Sequence, residues 1–234
     1  MIILREDKGS ALSHSEMDNN LKELRDGVAL MVPKEKTYGI KLDSQGTPGF
    51  GWHDLQCGIH VPDYTAPNAP TLTTFVGGII QPEYEVNDEC QIFAHMPHDY
   101  LMGSDVFIHV HWSHNSALVT GGSVTFGWEL TYAKGHGQGA FGTPITVVEF
   151  QNANTTQRQH MICEAPISIS GGSANLLDTD DIEVDGILFG RFYISSNDLT
   201  VSAGGLPGIF VHEIDIHYQS TGVPTKQRAP DFWT

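Results

Sequence analysis

Residues 105–112 read DVFIHVHW. Val106, Ile108, Val110 and Trp112 fall on one side of an extended chain, and Asp105, Phe107, His109 and His111 on the other. Successive side chains of a strand point to opposite faces, so this stretch reads as a strand with one apolar and one polar side. Two further stretches repeat the pattern. In 123–132, Val124, Phe126, Trp128, Leu130 and Tyr132 alternate with Thr125, Gly127, Glu129 and Thr131. In 209–218, Phe210, His212, Ile214, Ile216 and Tyr218 stand opposite Val211, Glu213, Asp215 and His217. Shorter segments at 74–80, 89–95, 145–150, 159–164 and 186–195 carry strand character between Gly and Asn/Asp turn signals. One apolar and one polar face fit antiparallel sheets packed on one side. The expectation is an all-β chain, an antiparallel jelly-roll-like β-sandwich with a short N-terminal helix and an extended arm.

The chain has 234 residues, 40% of them hydrophobic and 17% charged, which suffices for a core and excludes a disordered chain. Its net charge of −16 repels phosphate backbones, so no nucleic-acid partner is expected. No apolar run reaches membrane-spanning length, so no membrane insertion is expected. The start, MIILREDKGS, has charges where a signal peptide needs an apolar stretch. Cys57, Cys90 and Cys163 are far apart and form no CxxC pair, which suits free thiols in a reducing cytoplasm.

Residues 12–27, LSHSEMDNNLKELRDG, predict a helix. Ser13 and Glu16 are spaced as a capping box, with Leu12 and Met17 as a hydrophobic staple. Met17, Leu21, Leu24 and Val28 form one narrow apolar stripe, suited to packing against copies of itself. Residues 29–50 read as an extended linker with a short strand at Tyr38–Leu42. This divides the chain into 1–50, an arm and helix for attachment or oligomerisation; 51–222, the sandwich; and 223–234, a tail ending in APDFWT. Phe232 and Trp233 in that tail are candidates for docking on a neighbouring subunit or on the chain's own sandwich.

KGSALSHSEMDNNLKEL resembles a segment near the N-terminus of many tailed-bacteriophage tail-fibre and related virion proteins. The matching positions are Gly9, Ser10, Leu12, Ser13, Glu16, Asp18, Asn20, Leu21 and Leu24, with Leu21 where an aromatic is usual. The resemblance implies a virion structural protein, assembled in the host cytoplasm and joined to the particle through its N-terminus. It implies a homotrimer whose partners are itself, other virion proteins and a host-surface receptor. A capsid decoration protein with the same trimeric jelly roll is the alternative within that class.

The polar side of 103–115 carries a different resemblance. Gly103, His109 and His111 are spaced like the start of the first motif of cupins, jelly-roll proteins that include metalloenzymes. The acid that motif needs is replaced by Asn115 or Ser116, although Gly122 falls at the final spacing. LPGIFVH at 206–212 lacks the spacing of the second motif. Two imidazoles without a carboxylate leave His109 and His111 an incomplete metal set, so no cofactor and no catalytic residue is expected, and a cupin-like metal-binding enzyme using His109 and His111 is kept as the second alternative. Phe107, His109, His111 and His114 are instead expected to line a groove or an interface. LLDTDDIEVDG at 176–186 is acidic but lacks the EF-hand glycine and glutamate, and reads as a solvated loop.

Overall fold

The computed structural model describes residues 13, 15, 17–22, 51–222, 224–230 and 232. Contacts divide the chain into two compact units, Met1–Trp52 with Ser220–Gly222, and His53–Gln219 with Val223–Thr234. In the first, residues 15 and 17–22 are helical, with Met17 N–H donating to Ser13 O at 3.0 Å. Met17 and Leu21 of the expected stripe are exposed. Leu12, Glu16, Leu24, Val28, the Tyr38–Leu42 strand and Trp233 lie outside the described residues.

The strands run, in chain order, β1 (Gly51–Gln56), β2 (Gly58–His60), β3 (Thr71–Val76), β4 (Ile79–Tyr84), β5 (Glu89–His95), β6 (Val106–His114) and β7 (Val119–Ala133). There follow β8 (Ile145–Asn152), β9 (Met161–Pro166), β10 (Ser168–Ile169), β11 (Leu177–Asp178), β12 (Ile187–Val201) and β13 (Ile209–Ser220). One sheet has the order β3-β4-β13-β6-β9, with β1 also pairing on β13; the other is β2-β5-β12-β7-β8. Leaving aside β1 to β3 and the small parallel pair β10–β11, the pairing is nested. β4 pairs with β13, β5 with β12, β6 with β9 and β7 with β8, all antiparallel. A long hairpin rolled over itself gives this first-with-last pattern, so the expected jelly-roll sandwich is the fold.

The apolar sides of the alternating strands meet between the sheets. Trp112 of β6 contacts Phe126 of β7 at 5.4 Å between ring centroids, and Tyr84 of β4 meets Phe192 of β12 at 5.9 Å. Trp128 stands 5.8 Å from the same Phe192 ring. Each such aromatic removes a large apolar area from water and contributes about 1.5–3 kcal/mol by burial.

Two local expectations are corrected. Residues 74–80 are not one strand: Gly77, at φ +58°, turns the chain between β3 and β4. Gly-Gly between apolar runs is a hairpin signal, because the turn needs positive φ. In β13 the alternation is broken by a bulge between Val211 and Glu213. Ile209 and Val211 therefore share the core with Ile214, Ile216 and Tyr218, while Phe210 turns outward and is covered by Phe75, 4.9 Å away. A bulge inserts one residue and shifts the parity of all that follows.

Phe192 and Phe189 lie on one strand but on opposite faces, fully buried and 45% exposed respectively. Phe192→Ala is expected to lower stability by about 3–5 kcal/mol and Phe189→Ala by about 1 kcal/mol or less, as measured by urea unfolding.

Candidate functional site

The polar side of β6 faces away from the sandwich core. Register places Glu164 of β9 and Asp215 of β13 on either side of His109, so the three form one row across the sheet. His109 is 7% exposed and Asp215 only 3%. His109 Nε2 lies 2.6 Å from Glu164 Oε2, and its Nδ1 lies 3.7 Å from Asp215 Oδ1. His111 Nε2 approaches the same Oδ1 at 3.3 Å, and its Nδ1 is 2.9 Å from His160 Nε2. The His111 and His160 rings stack at 5.1 Å.

The row continues on both sides. His217 packs edge-on against His109 at 4.7 Å, with Nδ1 3.5 Å from Glu164 Oε2 and Nε2 3.8 Å from Asp54 Oδ1. His212, at the bulge, reaches Ser113 Oγ at 2.8 Å through Nε2 and Gln81 Oε1 at 2.6 Å through Nδ1. Burial, with His160 and His111 nearby, lowers the pKa of His212. Burial pushes the Asp215 carboxyl above its ordinary range, and the His109 and His111 rings work against that rise.

Of the residues expected to line a groove, His109 and His111 belong to this face. Phe107 shares their side of β6 and is half-buried. His114 does not belong with them. It lies on the core side with Trp112, is fully buried, and holds Asn154 O through Nε2 at 2.7 Å. Its even position sets its side, which a reading by nearness along the chain overlooks. Phe232, considered for a subunit contact, is 3% exposed and packs on its own chain, 6.0 Å from the His98 ring and 5.9 Å from that of His136.

Those two histidines belong to a second cluster. Asp185, at φ +60° before β12, meets His136 Nε2 at 2.8 Å, His98 Nε2 at 3.0 Å and His95 Nε2 at 3.2 Å. Burial works against its charge, but the His136 hydrogen bond and the His98 and His95 rings hold its carboxyl below the ordinary value. The rest of the acidic stretch is local: Asp178 caps the short turn at Thr179–Asp181, and Asp181 pairs with Lys134 at 3.2 Å. A cavity of about 360 Å³ beside it, lined by Tyr132, Lys134 and Gln138 among others, shares no residue with the histidine face. Cys57, Cys90 and Cys163 are free and buried, and burial pushes their thiols to about 12, about 11 and about 12. Thiols so placed stay protonated and unreactive.

Sequence reasoning singled out His109 and His111 but missed Asp215, Glu164 and His160. The signal for Asp215 was present, since it stands between Ile214 and Ile216 with both neighbours pointing inward. Its pairing with His109 depends on topology and is invisible along the chain.

No known family model and no curated protein matches this sequence. Among solved structures it is similar to carbohydrate-binding modules. A xylan-binding module, CBM15, is 7% identical over 73% of this chain and 97% of its own, with a TM-score of 0.32. A module specific for non-crystalline cellulose, CBM28, is 11% identical over 67% and 85%, also with a TM-score of 0.32. The family 11 module from Clostridium thermocellum is 12% identical over 75% and 92%, with a TM-score of 0.29. Likeness at this level says nothing of a ligand.

A carboxylate held below its ordinary pKa stabilises the fold above the unfolded value of about 3.9, and that contribution is lost as pH falls through the lower, folded value. Wild-type stability is therefore expected to drop below about pH 4. Asp185→Asn should lower stability at pH 7 by about 1 kcal/mol and flatten that acid limb, as read from urea unfolding across pH.

Proposed function

We propose that this chain is a non-enzymatic structural protein of a tailed-bacteriophage virion. On this reading it is a homotrimeric tail fibre, appendage or adaptor, attached through its N-terminal segment. The observation that carries its packing role is the β3–β4 hairpin. Only Ile209 and Phe210 of β13 pair with its backbone, at Tyr84 and Glu83, and side chains such as Phe75 and Gln81 hold the inner side of the rest. Leu72, Val76, Ile79 and Ile80 on it are 36–62% exposed. A two-stranded hairpin is marginal by itself, and a free apolar edge invites pairing with another chain. Its natural occupant on this reading is a neighbouring copy. The exposed Met17 and Leu21 support the same reading, because an apolar helical stripe gains by packing. The attachment and virion parts rest on the KGSALSHSEMDNNLKEL resemblance. Among the described residues no helix is long and apolar enough to cross a membrane.

Sedimentation of the full chain should give a mass near 77 kDa, three times the 25.6 kDa of one copy. Leu72→Lys with Ile80→Lys should shift it towards a single copy without loss of the β spectrum. A 25.6 kDa species at micromolar concentration would sink the trimer. Labelled antibody on intact particles is expected to mark the tail. Marking of the capsid would favour the decoration reading, and absence from particles would overturn both.

A further inference from the structure

We propose that His109, His111 and Asp215 form a binding site for a divalent transition-metal cation, clamping β6 to β13 on the outer side of the sheet. Three observations converge on it. The first is the donor set. Two imidazoles and one carboxylate are a recurrent ligand combination for iron and zinc, and imidazole suits both. Their ligand atoms all lie within 4.8 Å of one another. Ligands bound at about 2.0–2.2 Å from one ion stand about 3–3.5 Å apart. Asp215 Oδ1 is 3.3 Å from His111 Nε2 and 3.7 Å from His109 Nδ1, so both carboxylate–imidazole pairs stand within a few tenths of an ångström of that spacing.

The second observation is the unpartnered atoms. His111 Nε2 and Asp215 Oδ1 are buried and make no hydrogen bond. They stand 3.3 Å apart without making one. A carboxylate 3% exposed with an oxygen in that condition is costly unless a cation faces it.

The third is the outer partners. A carboxylate only accepts, so His109 donates its Nε2–H to Glu164 and presents the Nδ1 lone pair to Asp215. His111 Nδ1 shares a hydrogen bond with His160 Nε2, and with the proton on Nδ1 it presents Nε2 in the same way. Ligand histidines held through their second nitrogen are the usual support of a metal site. A second group, Asp54, His109 and His217, shares one ligand, but the Asp54 side chain is 67% exposed and makes the weaker set.

This is not the cupin arrangement that the spacing of Gly103, His109 and His111 suggests. Here the carboxylate comes from another strand, and the cluster faces away from the sandwich core. It also stands independently of the virion reading, since it uses only ligand geometry within one chain.

The test uses the full chain, stripped by chelator and dialysed, titrated with Zn²⁺ by calorimetry and with Co²⁺ by visible absorption. One equivalent per chain is expected to bind at micromolar affinity or tighter. The Co²⁺ spectrum should show imidazole ligation, and Zn²⁺ should raise the melting temperature. Asp215→Asn and His111→Gln, each checked for fold by circular dichroism, should abolish the binding. Glu164→Gln, at a half-exposed position that leaves the core untouched, should weaken it at least tenfold. Failure of the wild-type chain to bind either ion would overturn the proposal. So would binding that survives Asp215→Asn and Glu164→Gln, or that is lost instead on His136→Ala.

Discussion

The antiparallel ladder between β6 and β13 is the constraint on which the rest of the sandwich depends. β13 is the last strand of the chain, yet it lies inside its sheet, and its partners in β4 and β6 precede it by about a hundred residues or more. Closing such a loop costs conformational entropy before any contact rewards it. Both faces of β13 contribute to the reward. Inward, Ile209, Val211, Ile214, Ile216 and Tyr218 complete the core. Outward, Asp215 slots beside His109. The bulge at His212 allows both, since it resets the parity of the strand between its two halves.

The strands were legible because the core is binary. Alternation over 105–112 and 123–132 corresponds to β6 and β7, the strand character of 186–195 to β12, and the nearly helix-free spacing pointed to a sandwich. The reading failed where a single residue changes the rule. Gly77 turned one expected strand into a hairpin, and the extra residue in β13 exchanged the faces of Phe210 and Val211. The site was half legible for a related reason. His109 and His111 announce themselves by spacing within one strand. The motif's spacing places the carboxylate just past the strand, at Asn115 or Ser116, whereas it comes from β13 through a pairing that only topology creates. His114 was misplaced among them, although parity alone sets it on the core side.

Exposed apolar side chains have two different causes here, and the outer face of the second sheet shows the first. Phe93 lies over Gly58 and Tyr193 over Gly127, where a Cβ would overlap the ring. Arg191 sits 4.9 Å over Tyr193 and pairs with Glu89 and Glu129 on the flanking strands. These rings shield glycine backbone and belong to the fold itself. The hairpin's Leu72 and Ile80 have no such duty. Their register puts them on one side with Pro82 and Thr74, in a hairpin that pairs with β13 at two residues only. The exposed side chains of the hairpin are therefore the ones on which the packing role rests, whereas Phe93 and Tyr193 already serve the single copy.

Asp185 and Asp215 make the decisive comparison for the histidines. Both carboxylates stand among imidazoles, yet their pKa values move in opposite directions. Asp185 accepts an aligned hydrogen bond from His136 at 2.8 Å, and the charge is stabilised where it sits. Asp215 is more deeply buried, and its Oδ1 accepts nothing despite a nitrogen at 3.3 Å. If the role of the β6 face were only to present a polar wall, an apolar residue at 215 would fit a fully paired central strand at no desolvation cost, and the imidazoles could face solvent. A buried acid whose lone pair meets two others, each nitrogen oriented from behind by Glu164 or His160, is arranged for a positive charge at their common point.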